Sequence, residues 1–85
     1  MPVPVDLTKP GRRYVIEETA LHRVYAHQHG CMEIERLTDG ATAFFQGDDA
    51  SILGDEMFAA IGRPARVMRD ILDQYDDILT VERPQ

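Results

Sequence analysis

The sequence predicts an α+β domain: an antiparallel β-meander of three to four strands, followed by two C-terminal helices packed on one face. Two observations carry this. Residues 31–46 alternate apolar and polar around a central Asp39-Gly40 turn, and from Asp48 onward the apolar period lengthens from two residues to three or four.

The elements follow in order. Residues 1–12 contain Pro2, Pro4, Pro10 and Gly11 and read as an extended N-terminal arm. Tyr14 to Thr19 is rich in β-branched and aromatic residues, as strands prefer. Residues 17–29 fit two patterns. As a strand they set His22, Val24 and Ala26 on one face, opposite Leu21, Arg23, Tyr25 and His27. As a helix they group Leu21, Val24, Tyr25 and Gln28, with Gly30 as the C-cap. The strand is preferred because the run is short. From Cys31 to Leu37, Met32 and Ile34 share one face, Glu33 and Glu35 the other. Asp39-Gly40 supplies left-handed turn geometry, and Ala41 to Gln46 returns as the partner strand.

Asp48 or Asp49 is placed to cap a first helix, with Ile52, Leu53, Met57, Phe58 and Ile61 as its apolar stripe and Gly62 as its stop. Pro64 suits the first position of a second helix. There Val67, Met68, Ile71, Leu72, Tyr75, Ile78 and Leu79 form an amphipathic stripe. The domain is thus expected over residues 13–79, with 80–85 as a tail.

Composition bounds the function. The chain has 85 residues, which suits one domain with one core, and 44% apolar residues, ordinary for a folded protein. No apolar run approaches the ~20 residues that span a bilayer, and the first residues lack a secretory pattern. The single cysteine, Cys31, fits a reducing compartment, so a cytoplasmic location is expected. Net charge is −6, and the segment from Asp48 to Leu79 carries eight acids against three arginines. That imbalance disfavours generic binding to phosphate backbones and favours a partner with a basic surface.

Four constellations merit weighing for chemistry. On a continuous strand His27, His29 and Cys31 would share a face with Zn²⁺-ligand chemistry. Their spacing fits no familiar zinc motif, no second cysteine is present, and His22 has the wrong parity to join them. Cys31 as a nucleophile lacks an oxyanion hole. Asp48 and Asp49 have the oxygen chemistry for Mg²⁺ but are explained as helix caps. No catalytic residue, metal or cofactor is therefore expected. Last, Asp70, Asp73, Asp76 and Asp77 step along the second predicted helix at intervals that make a carboxylate row. This row is the expected partner-binding surface, joined by Glu33, Glu35, Asp55 and Glu56 if they lie on the same side. The alternative is a DNA-binding regulator in which Arg63, Arg66 and Arg69 start the second helix of a helix-turn-helix-like pair.

The run Thr38-Asp-Gly-Ala-Thr-Ala-Phe-Phe-Gln-Gly-Asp-Asp-Ala-Ser51 leads from hairpin into acidic helix. With its length and acidity, the chain resembles small acidic phage or mobile-element proteins, including anti-CRISPR inhibitors. The resemblance implies stoichiometric binding to a bacterial defence protein, on a surface that otherwise holds nucleic acid. It carries over no individual residue.

Overall fold

The computed structural model describes residues 13–81. The expected N-terminal arm and residues 82–85 lie outside that range. Four strands form one antiparallel sheet in sequence order: β1 (Arg13–Glu18), β2 (His22–His27), β3 (Met32–Arg36) and β4 (Thr42–Phe45). Two helices follow, α1 (Asp48–Ala60) and α2 (Ala65–Asp73). The α+β layout read from the sequence is the observed one, with the ambiguous segment 17–29 contributing β2.

Alternation along the strands sorts the side chains. Val24, Met32, Ile34 and Phe45 point to the helices and are buried with Leu53, Met57, Met68, Leu72 and Leu79. Burying the largest of these side chains stabilises the fold by about 1.5–3 kcal/mol each. Register places Val24 opposite Ile34, and Ile34 opposite Ala43, so the core face is continuous across three strands. The β3–β4 turn is held by Arg36 N–H donating to the Ala41 carbonyl (2.7 Å), and Gly40 takes a positive φ of 74° there.

Several local expectations need correction. Gly47, not Asp48 or Asp49, stands at the N-cap of α1, at φ 60° and ψ −134°. Neither aspartate caps by its side chain. Both lie in the first turn, where a negative charge suits the helix dipole. Of the predicted α1 stripe, Leu53 and Met57 are buried while Ile52, Phe58 and Ile61 are exposed. The buried positions Ala50, Leu53, Met57 and Ala60 recur at three and four residues, and Ile52 and Phe58 fall to either side of that face.

The second helix is shorter than predicted. It ends at Asp73, and the chain continues into a 3₁₀ turn at Asp76–Ile78. Pro64 is its N-cap, one position before the helix proper. The predicted tail also begins with an ordered contact, because Thr80 forms an antiparallel bridge with Thr42. Among the described residues no helix is long and apolar enough to cross a membrane.

Candidate binding site

The sheet alternation that buries Val24 also buries His22, two residues earlier on the same face. His22 is 1% exposed. A buried imidazole needs polar partners. They come from the end of α2 and the 3₁₀ turn that follows it. His22 Nε2–H donates to Asp76 Oδ1 at 2.9 Å, since a carboxylate only accepts. Asp73 Oδ1 lies 3.7 Å from Nδ1, too far for a hydrogen bond, and Nδ1 has no hydrogen-bond partner among the described residues.

Arg36, on the same face of β3, completes the arrangement. Its Nη1 lies 2.9 Å from Asp76 Oδ2, while its Nε and Nη2 donate to the two oxygens of Asp39 at 3.0 and 2.9 Å. Asp39 also accepts from the Ala41 backbone N–H at 3.1 Å. The guanidinium and this amide hold the Asp39 carboxyl down at about 2. The hydrogen bond from His22, followed by that from Arg36, lowers Asp76 as well. These charges surround an open cleft of about 420 Å³ lined by Leu21, His22, Arg36, Thr38 and three aspartates, Asp73, Asp76 and Asp77.

The predicted carboxylate row is therefore split. Asp70 and Asp73 belong to α2, whereas Asp76 and Asp77 belong to the 3₁₀ turn. Asp73, Asp76 and Asp77 converge on the cleft because the backbone stays helical through Gln74 and Tyr75 into the 3₁₀ turn, which keeps residues three and four apart on one side. Asp70 and Asp77 make no side-chain hydrogen bond or ion pair among the described residues, while Asp76 is bound inward to His22 and Arg36.

The other predicted acids lie elsewhere. Glu33 and Glu35 alternate with Met32 and Ile34 and so face away from the helices. Glu33 accepts from Arg13 and from His27 Nε2, each at 2.9 Å. Glu35 accepts from the Tyr25 hydroxyl at 2.6 Å, and the Arg13 guanidinium lies 3.9 Å above the Tyr25 ring. This network leaves Tyr25 only 6% exposed on the sheet face opposite α1 and α2. On α1, Glu56 accepts from the Tyr75 hydroxyl, and Asp55 is exposed. Burial, with the Glu56 carboxylate beside it, pushes the Tyr75 hydroxyl up to about 12.

The histidine–cysteine group does not converge. Residues Gln28–Gly30 form a 3₁₀ turn with His29 at φ 63°, so the strand parity that aligned His27, His29 and Cys31 is broken. His27 is engaged by Glu33, and no group of three or more histidine, cysteine or carboxylate side chains is placed to hold a metal among the described residues. Arg63, Arg66 and Arg69 are all exposed around the start of α2, with no ion pair to Asp70 or Asp73. His22, which the sequence offered only as a histidine of wrong parity for the metal face, is the central residue of the cleft. The signal was present: a histidine in phase with Val24 on a buried strand face requires a hydrogen-bonding partner from elsewhere in the chain.

No family model, no curated protein and no solved structure matches this chain.

Proposed function

We propose that the chain is a non-catalytic binding protein that presents the Asp73–Asp76–Asp77 cleft to a basic protein surface. The observation that carries this reading is the charge of that cleft: among the described residues three carboxylates line it against one guanidinium. A lysine or arginine side chain of a partner would enter a cleft of this sign and gain charge-assisted hydrogen bonds. Asp70, one turn before Asp73 on α2, extends the acidic surface. A basic surface of this kind is one that elsewhere holds phosphate, so binding would compete with nucleic acid. That is the action of a phage-type inhibitor directed at a bacterial defence protein.

Affinity capture from a bacterial lysate, at low and high salt, tests the reading. Reversal is best made at Asp70 and Asp77, because Asp73 and Asp76 also surround His22. The Asp70→Lys/Asp77→Lys double variant is expected to lose partners that wild type retains at low salt and releases at high salt. Equal capture by both proteins would refute the role of the cleft.

A further inference from the structure

The two edges of the sheet differ. β4 is covered at Thr42 by the bridge to Thr80. β1 pairs with β2 along one side, and among the described residues no strand pairs with its other side. Tyr14, Val15 and Ile16 on this edge are 59%, 54% and 45% exposed. An open edge carrying apolar side chains is a template for a further strand. Ile16 and Glu17 also line an apolar groove of about 220 Å³ together with Met32, Met57, Phe58 and Ile61. Phe58 and Ile61 are 76% and 69% exposed, so the apolar surface continues from the strand edge onto α1.

We propose that β1 is a dimerisation edge, at which two copies of this chain join antiparallel, β1 to β1, about a two-fold axis perpendicular to the sheet. The strand sequence Arg-Tyr-Val-Ile-Glu-Glu is complementary to itself when reversed. In the register of full overlap, Arg13 stands opposite the partner's Glu18 at both ends and Tyr14 opposite the partner's Glu17, with the Val15–Ile16 bulge of each copy beside the axis. Opposite charges facing one another across strands stabilise the pairing. Sliding the copies toward their acidic ends shortens the overlap and sets Glu17 and Glu18 against acids of the partner.

The β-bulge makes this register possible. A two-fold axis perpendicular to a sheet pairs residues that point to the same face. Arg13 and Glu18 are separated by an odd number of positions, so in a regular strand they would point to opposite faces. In β1 the register shifts between Val15 and Glu17: Val15 stands opposite Tyr25, and Glu17 opposite Val24. The extra residue, Ile16, brings Arg13 and Glu18 onto one face, opposite His27 and Arg23 respectively. The same axis keeps the helices of both copies on one side. Each groove, walled by Ile16 and Glu17, then borders the seam, and the partner's Tyr14 arrives beside Glu17 at its margin. The surface is separate from the acidic cleft, so either can stand without the other.

Sedimentation equilibrium of the full chain, with NMR on a dimer mixed from labelled and unlabelled protein, tests this. The expected result is a concentration-dependent dimer with intermolecular contacts between the Tyr14 and Glu17 side chains. Val15→Lys sets a charge at the seam and is expected to weaken the dimer about tenfold or more while leaving the circular dichroism unchanged. Phe58→Asp, at a highly exposed position, is expected to weaken it by a smaller factor and carries the test if Val15→Lys does not fold. A protein that stays monomeric up to about 0.5 mM overturns the proposal, including the case where another part of the chain covers the edge. So does a dimer unaffected by the folded variants.

Discussion

His22 and Asp76 are 54 residues apart in the chain, yet the imidazole Nε2 and the carboxylate Oδ1 meet at 2.9 Å. The contact joins the first residue of β2 to the segment that follows α2. It is both a tertiary tie and one wall of the acidic cleft. Asp76→Asn keeps the shape and removes the charge, so the urea midpoint is expected to fall while the far-ultraviolet dichroism of the native protein stays the same. His22→Ala removes a fully buried side chain as well as the tie and is expected to cost more, about 2–4 kcal/mol. Equilibrium urea unfolding of both variants checks the order.

Stability is expected to decline in acid. Asp39 sits at about 2 in the folded protein, and Asp76 is also lowered. A carboxyl lowered by folding stabilises the folded state above its unfolded value of about 3.9 and loses that contribution as pH falls toward its folded value. In the window from about pH 4 to about pH 2 the unfolded chain takes up protons first, and the midpoint drops. Asp39→Asn is expected to flatten this dependence. Urea midpoints across the window provide the measurement, and a profile unchanged in Asp39→Asn would contradict the assignment.

Tyr25→Phe is expected to destabilise by about 1–2 kcal/mol. Tyr25 is buried on the sheet face opposite α1 and α2, and its hydroxyl donates to Glu35 and accepts from Arg23. Removing the hydroxyl leaves Glu35 without that donor. Thermal or urea unfolding of Tyr25→Phe beside Glu35→Gln, with the double variant to measure coupling, resolves the contribution.

Gly47→Ala is expected to cost about 1–3 kcal/mol. Its φ of 60° with ψ of −134° lies where side chains are rarely tolerated, and no atom stands within 4 Å of an added Cβ. The cost is therefore one of backbone conformation and not of collision. Gly62→Ala, at φ 82°, gives an independent comparison at the end of the same helix.

The fold was legible in the sequence where local pattern and tertiary burial agree. Met32 and Ile34 alternate with Glu33 and Glu35, and the sheet buries the first pair and leaves the second on the opposite face. The reading failed where periodicity was carried past a change of backbone. Tyr75, Ile78 and Leu79 continue the α2 stripe in spacing, yet the helix stops at Asp73. Leu79 still reaches the core, by way of a 3₁₀ turn, while Ile78 is exposed. Likewise His29 left the strand face because the chain turns at residues 28–30. The cleft was half legible. Its aspartates were singled out from their charge, but His22 and Arg36 are joined to them only by long-range contacts that no local spacing encodes.

The order β1-β2-β3-β4 also bears on how the chain folds. Each strand pairs with its neighbour in sequence, so the whole sheet can zip from short hairpins with little loop-closure entropy, a topology that folds fast. The His22–Asp76 and Thr42–Thr80 contacts are different, because each must close a long loop. They are expected to form last in folding and to open first. Fluctuations that release them free the C-terminal segment while the hairpins persist, and native-state hydrogen exchange would find Thr80 exchanging well before Ile34.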